Sequence, residues 1–218
     1  MGLDEKKICF IICANDDLFL EECLRYLYAL ETPEGMEMEV VEIRDAVSMA
    51  SGYNEGMGAS DAKYKVYLHQ DVFLINRHFI YDIVDIFKSG KEIGMIGLVG
   101  NLETPRDGVM WMGKRVMLGP KQEPWEGYRY RREDGIWDVQ CADGLLLATQ
   151  YDVPWREDLF DGWDFYDVSQ SFEMRRRGYR VVVPVQNHEW FIHDDKMILR
   201  LWDYDKYRKV FWEEYGEG

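Results

Sequence analysis

The first hundred residues alternate between short apolar runs and segments with helical spacing. The runs KKICFIIC, MEVVEI, YKVYL and IGMIGLVG predict strands, because each is a short apolar stretch between polar or turn-forming residues. Between these runs, apolar residues recur every three or four positions over about 20–30, 48–60 and 78–89, which indicates helices. Alternation of strand and helix builds parallel βαβ units, so the chain predicts an α/β fold with helices flanking a mixed, mostly parallel sheet.

Polar side chains follow the first three predicted strands. Asn15 comes after KKICFIIC, Asp45 comes after MEVVEI, and YKVYL runs directly into His69 and Asp71. Ligands of such sheets bind beyond the carboxyl ends of the strands. A carboxylate is rarely buried there without a partner, because its desolvation is costly. We therefore expect these residues to line one cleft, and the alternative is that they are turn residues that close exposed strands.

The second half of the chain has a different character. All eight tryptophans lie at or after position 111, and the segment 106–132 is basic and rich in proline, which predicts a loop over the site. LLLAT then predicts a strand, DVSQSFEMRRRGY a helix that ends at Gly178, RVVVPV another strand, and 203–215 a closing helix. Since no internal repeat interrupts this order, residues 1–218 predict a single domain.

Charge and cysteine content restrict the partners. The 218 residues carry a net charge of −15, which argues against nucleic acid and anionic membranes. A phosphorylated ligand would need a divalent metal or a local cluster of basic residues. No apolar run approaches the roughly 20 residues of a membrane span, and the acidic N-terminus is unlike a signal peptide. The four cysteines lack the spacing that is typical of metal sites, so we interpret them as reduced thiols and expect a cytoplasmic protein. The sequence leaves the oligomeric state open, and a homo-oligomer is one alternative.

Three stretches carry a resemblance to a known family. GYNEGMGASDAKYKVYLHQDV resembles the segment of family 2-type glycosyltransferases in which a strand ends in Asp-x-Asp. LFDGWDFYDVSQSFEMRRRGYRVVVP resembles their later block, in which an acidic pair opens a helix before a strand. HEWFIHDD is similar to a stretch of the glycosyltransferase-like family that includes a streptomycin-biosynthesis protein. The resemblance covers the chain and implies the GT-A fold, with a nucleotide-binding half at 1–100 and an acceptor half at 101–218.

On the donor side, the resemblance implies a nucleotide-diphosphate sugar and a divalent metal, Mn²⁺ or Mg²⁺. Asp71 falls on the family's metal-binding aspartate, and His69 replaces the first aspartate of the pair, at a position that contacts the nucleotide. His193 is implied as a further metal ligand or diphosphate donor, with His188 as the alternative. The family's Asp-Asp-Gly-Ser after the second strand is RDAVS here. The other implied nucleotide contacts are Ala14, Asn15, Asp45 and Asn54.

On the acceptor side, the resemblance implies that Asp167 is the catalytic base. Its place at the start of a predicted helix should favour the ionised form. The structural alternative is that Asp167 only caps that helix and forms a capping box with Gln170. The residues expected to contact the acceptor or its sugar are Asp143, Gly144, Trp163 and Tyr166, and Trp111 and Trp125 are further candidates for stacking.

The resemblance implies a metal-dependent, inverting glycosyltransferase that moves a sugar from a nucleotide diphosphate to an acceptor hydroxyl, and the residues above permit this chemistry. The alternative is a non-catalytic relative that binds a sugar nucleotide or a glycan, because His69 and RDAVS depart from the family's pattern. A nucleotidyltransferase would need a glycine-rich, basic loop after the first strand, where the chain has the acidic CANDDLFLEE.

Overall fold

The structure, a computed structural model, describes most of the chain. The described residues are 2–105, 115–117 (backbone only), 135–186, 188–194 and 203–216. Apart from that backbone, the segment 106–132, which the sequence predicts to be a loop over the site, lies outside the described residues, as do Trp111 and Trp125. Among the described helices, none is both long and apolar enough to cross a membrane.

Strands and helices alternate through the first hundred residues, which confirms the prediction from sequence. The strands are β1 (Asp4–Ala14), β2 (Glu37–Arg44), β3 (Ala62–His69), β4 (Val72–Leu74) and β5 (Ile93–Gly97), and the helices are α1 (Asp17–Leu27), α2 (Met49–Ala59) and α3 (Phe79–Ser89). Two of these helices begin at polar caps. The Asp16 carboxylate accepts hydrogen bonds from the N–H groups of Leu18 and Phe19, and Ser48 forms a capping box with Ser51.

The described part of the second half supplies the remaining elements. Its strands are β6 (Val99–Asn101), β7 (Arg115–Met117), β8 (Ile136–Asp138), β9 (Cys141–Ala142), β10 (Leu146–Thr149), β11 (Arg180–Pro184) and β12 (Phe191–His193), and its helices are α4 (Tyr166–Arg176) and α5 (Tyr204–Tyr215). The predicted strands LLLAT and RVVVPV are β10 and β11, and both predicted helices are present. The predicted strand IGMIGLVG is divided into β5 and β6. The sequence did not predict β4, β7, β8, β9 or β12, because strands of two or three residues show no period.

Seven strands form the central sheet, in the order β2-β1-β3-β10-β5-β11-β8. β1 pairs in parallel with β2 and β3, and β5 pairs in parallel with β11. β10 lies antiparallel between β3 and β5, where Leu147 pairs with Tyr67 on one side and Gly97 on the other, and β8 is antiparallel to β11. The sheet is therefore mixed and mostly parallel, as predicted, but a strand from the second half lies at its centre.

Helices cover both faces of this sheet. On one face, Phe10 of β1 shares a core with Phe79 of α3 and with residues of α1. On the other face, Ile11 of β1 shares a core with Tyr53 of α2 and with residues of α4. Because the middle of β1 is buried on both faces, its apolar run is continuous rather than alternating. Helix α5 packs on α4 through a third cluster that includes Phe211.

Two small sheets extend from the central one. β6 pairs with β7 and β9, and β4 pairs in antiparallel fashion with β12. β4 begins directly after Asp71, at the carboxyl end of β3. Its partner β12 therefore lies at the same end, although it is far from β3 in the sequence. This pairing brings His193 to the edge of the sheet where the polar residues lie.

Candidate active site

Three of the predicted residues lie at the carboxyl edge of the central sheet. Asn15, Asp45 and Asp71 follow the ends of β1, β2 and β3, which are neighbours and run parallel. Gln70 joins two of these strand ends. Its side-chain oxygen accepts hydrogen bonds from the N–H groups of Asn15 and Asp16, each at 3.0 Å, and its amide donates to Asn15 Oδ1 at 2.6 Å. Sequence reasoning missed Gln70, although it is the middle residue of the polar interruption after YKVYL.

The other predicted nucleotide contacts differ in their surroundings. Ala14 ends β1 and is buried, and Asp45 is exposed with a φ of 57°, a left-handed conformation that aspartate tolerates better than most residues. The Asn54 amide, within α2, donates to the carbonyl of Trp155 at 3.0 Å and accepts from its N–H at 2.9 Å. Both the oxygen and the nitrogen of this amide are hydrogen-bonded to the backbone that follows β10. Asn54 therefore has a structural role and is not part of the proposed site.

Three side chains near the ends of β3 and β12 form a group that could hold a metal ion, namely His69, Asp71 and His193. One ligand atom from each lies within 4.8 Å of the others. Asp71 Oδ1 is 3.5 Å from His193 Nε2 and 4.0 Å from His69 Nδ1. This oxygen is buried and accepts no hydrogen bond from the residues that the structure describes. Since a buried carboxylate oxygen needs a partner, the group fits a divalent cation.

The neighbouring charges set the protonation of this group. Burial raises the pKa of Asp71, but His193 and His69 lower it by more, so the pKa lies below its ordinary value. Burial lowers the pKa of His69, and this effect exceeds the opposite effect of Asp71. An ionised carboxylate beside a neutral imidazole is the protonation state that metal binding requires.

The pairing of β4 with β12 explains how His193 reaches Asp71. His193 lies opposite Val72 in the ladder, and the N–H of Asp194 donates to the carbonyl of Asp71 at 2.9 Å. His188, which the sequence left as the alternative ligand, is exposed and does not belong to the group. The geometry therefore favours His193 as the histidine of the cation group.

The Tyr166 side chain is buried beneath the cation group formed by His69, Asp71 and His193. Its hydroxyl is 2.5 Å from His69 Nε2, and the residue is 5% exposed. The backbone of Gly144 packs so closely against the hydroxyl that a Cβ at this position would overlap Tyr166 Oη. A buried ring offers no stacking face, so we correct the expectation that Tyr166 is an acceptor platform. Trp163, which is 52% exposed, keeps such a face.

Asp167 is not a helix cap, which was the structural alternative to the catalytic base. The N-cap position of α4 is Phe165, which has a φ of 62° and makes no side-chain cap. The Asp167 carboxylate instead accepts hydrogen bonds from the N–H groups of Val168 and Gly144, both at 2.8 Å. The Gln170 amide donates to a backbone carbonyl before α4, so it forms no capping box. Asp167 is thus held between the first turn of α4 and the loop before β10.

These surroundings raise the pKa of Asp167. Burial and the nearby Asp143 carboxylate raise the pKa of Asp167 to about 7, although the N–H groups of Val168 and Gly144 act in the opposite direction. The sequence predicts a lowered pKa instead, because the helix dipole stabilises an ionised carboxylate in the first turn. A carboxylate with a pKa near neutrality suits the role of a general base at physiological pH.

We expect Gly144→Ala to disturb this arrangement. The added methyl group would collide with the Tyr166 hydroxyl and lie 3.0 Å from Asp167 Cβ, so the Tyr166 side chain or the Gly144 backbone must shift. Overpacking of this kind lowers the free energy of unfolding by about 1–3 kcal/mol, which urea denaturation measures. Gly58→Ala is the control, because a Cβ at Gly58 meets no atom within 4 Å. Equal losses in the two variants would contradict the close approach of Gly144 to Tyr166.

The fold is shared with solved glycosyltransferases. The chain aligns with a mutant of Drosophila β-1,4-galactosyltransferase 7 in complex with manganese, UDP-Gal and xylobiose, with a TM-score of 0.56 and 14% identity, over 93% of this chain and 79% of that one. It aligns with a Pyrobaculum calidifontis mannosyltransferase in complex with GDP-Man and Mn²⁺, with a TM-score of 0.61 and 14% identity, over 99% of this chain and 66% of that one. S. aureus TarS in complex with UDP gives a TM-score of 0.57 and 9% identity, over 95% of this chain and 65% of that one.

At these identities the likeness shows the GT-A fold, and the chain spans just under two thirds of the length of the last two structures. None of the curated protein sequences compared with the chain matches it. A sequence model of a glycosyltransferase-like family does match, over residues 9–215, which include every site residue described above. The match does not bear on streptomycin biosynthesis. The protein is therefore a member of this glycosyltransferase-like family.

Proposed function

We propose that the protein is a metal-dependent, inverting glycosyltransferase that moves a sugar from a nucleotide diphosphate to an acceptor hydroxyl. One observation carries the proposal: a group that fits a cation (His69, Asp71 and His193) and a carboxylate with the pKa of a base (Asp167) lie at the same edge of the sheet. Tyr166 connects them, because its hydroxyl contacts His69 and its backbone directly precedes Asp167.

On the donor side, Asp71 and His193 would hold the divalent metal, Mn²⁺ or Mg²⁺. When bound, such an ion supplies Lewis-acid neutralisation of the charge on the departing diphosphate. Because the chain has a net charge of −15, an anionic donor needs this local positive charge. Ala14, Asn15 and Asp45 are the proposed nucleotide contacts. Two structures with the same fold contain a nucleotide sugar and manganese, which supports this assignment.

On the acceptor side, Asp167 would take the proton of the attacking hydroxyl. The acceptor oxygen forms a bond to the anomeric carbon while the bond from that carbon to the diphosphate oxygen breaks, so the configuration inverts. The electron pair of the broken bond leaves with the diphosphate. The N–H groups of Gly144 and Val168 hold the carboxylate in place, and Asp143 and Trp163 are the proposed acceptor contacts.

The broader features of the sequence analysis belong to the same proposal. We propose one domain in which 1–100 mainly binds the donor and 101–218 mainly binds the acceptor, with β10 of the second half inserted in the central sheet. We place the protein in the cytoplasm, where thiols stay reduced, and its four cysteines are free. A homo-oligomer remains a prediction, and the proposed site uses residues of one chain.

A thermal shift assay with UDP, GDP and dTDP, each with and without Mn²⁺, tests the proposed function. We expect a rise in melting temperature that requires nucleotide and metal together, because the anionic nucleotide needs the cation. At a ligand concentration of about 100 times Kd, binding adds about 2.7 kcal/mol of stability, or roughly 5–10 °C for a chain of this size. Stabilisation by free glycans without any nucleotide would indicate the non-catalytic relative instead. No shift with any nucleotide and metal would contradict the proposal.

A further inference from the structure

The His69 imidazole lies between two different partners. Its Nε2 atom is 2.5 Å from the hydroxyl of Tyr166, and its Nδ1 atom is 4.0 Å from Asp71 Oδ1. One ring nitrogen therefore meets a buried hydroxyl, and the other faces the cation group that His69 forms with Asp71 and His193.

This arrangement defines the tautomer of His69 that can bind a metal. A ligating imidazole nitrogen uses its lone pair, so the proton sits on the other nitrogen and is donated to an outer partner. In His69 the ligating atom is then Nδ1, and Nε2–H donates to Tyr166 Oη. Tyr166 is itself fixed, because its ring packs against Tyr53 and Trp155, with centroids 5.9 Å and 6.1 Å apart, and its hydroxyl rests on Gly144.

The resulting donor set has two imidazole nitrogens and one carboxylate oxygen. Mg²⁺ and Ca²⁺ prefer oxygen ligands, whereas transition ions such as Co²⁺ and Zn²⁺ accept imidazole readily. We propose that His69 is a third protein ligand, held in its ligating tautomer by Tyr166, and that the site binds imidazole-accepting ions in preference to Mg²⁺ and Ca²⁺. The proposal rests on the metal dependence proposed above, narrows the choice of metal, and assigns His69 to the metal rather than to the nucleotide.

Titration of the whole chain with Co²⁺ and with Mg²⁺, in the absence of nucleotide, tests this proposal. We expect Co²⁺ to bind at least about 10²-fold more tightly than Mg²⁺. His69→Asp keeps three ligands but replaces a nitrogen by oxygen, so it should reduce the ratio of the two affinities at least tenfold and change the visible absorption of bound Co²⁺. Tyr166→Phe should weaken Co²⁺ binding by about 10–100-fold, with a smaller effect on Mg²⁺.

His188→Ala is the matched control, because this histidine is exposed and lies outside the cation group. We expect it to bind both ions as the parent does. Equal affinities of the parent for Co²⁺ and Mg²⁺ would overturn the proposal, and this comparison needs no variant to fold. A Co²⁺ affinity and spectrum that are unchanged in His69→Asp would also overturn it.

The outcome is separable from that of the proposed function. If the parent binds Co²⁺ and Mg²⁺ without preference but nucleotide binding still requires a metal, the assignment of His69 fails and the transferase proposal stands. If Co²⁺ is preferred but no nucleotide binds with metal present, the metal site stands and the transferase proposal fails.

Discussion

Asp71→Ala is expected to abolish metal-dependent nucleotide binding while the protein stays folded. Asp71 supplies the carboxylate of the cation group, between His69 and His193. We expect metal affinity to fall by more than about 10²-fold, because loss of even an outer partner of a metal ligand costs 10–100-fold. Calorimetric titration with Mn²⁺, followed by the nucleotide that gives the largest thermal shift, measures both effects.

The control for this experiment is Asp85→Ala, which removes the same charge from an exposed position on α3. It should bind metal and nucleotide as the parent does. Without metal, Asp71→Ala should still unfold in one cooperative transition, which shows that the lost binding does not come from an unfolded protein. If Asp71→Ala binds nucleotide in Mn²⁺ as well as the parent does, the assignment of the cation group is wrong.

Asp167→Asn is expected to reduce sugar transfer by about 10²–10⁴-fold, with donor binding little changed. The amide keeps the size of the side chain but cannot take the proton of the acceptor hydroxyl. Since the ionised carboxylate is the active form and its pKa is about 7, transfer by the parent should rise with pH through that region and then level off. Single-turnover transfer measured between pH 5 and pH 9 checks both points, and near-equal rates in variant and parent would rule out Asp167 as the base.

Two further measurements separate catalysis by Asp167 from a structural role. Asp143→Asn removes the carboxylate that raises the pKa of Asp167, so the rise of the pH profile should move to lower pH.

The folded pKa of Asp167 lies above the unfolded value of 3.8, so the folded protein holds the carboxyl proton of Asp167 more tightly. Protonated Asp167 therefore stabilises the folded protein fully below about pH 4. This stabilisation, up to about 4 kcal/mol, is lost by about pH 7. Urea denaturation of Asp167→Asn should show a flatter dependence over that range.

The sequence by itself determined the fold class and the edge of the sheet that carries the site. Periodicity is a property of residues close together in the chain, and alternating strands and helices impose parallel strands. Parallel strands in turn place Asn15, Asp45 and Asp71 at one edge, because each follows the carboxyl end of its strand. The ordered motifs were also enough to identify the family, whose match covers nearly the whole chain.

Tertiary structure decided which side chains complete the cation group. His193 reaches Asp71 through β12, a strand of three residues, and its ladder with β4 is what distinguishes His193 from His188. A strand that short has no detectable period, so the preference for His193 over His188 came from the family resemblance and not from a predicted strand. Asn54 lies at a position that the resemblance assigns to the nucleotide, but its side-chain amide forms hydrogen bonds with the backbone of Trp155.

The protonation of Asp167 was also decided in three dimensions. Its place in the first turn of a helix is a local property, and that alone predicts a lowered pKa. Burial and the Asp143 carboxylate act through space and raise the pKa to about 7, and Tyr166 becomes a partner of His69 because β3 and α4 meet at the same edge. Long, periodic elements depend on neighbours along the chain, so sequence determines them. Burial, pKa and ligand sets depend on groups that strand pairing and packing bring together, so only the folded structure decides them.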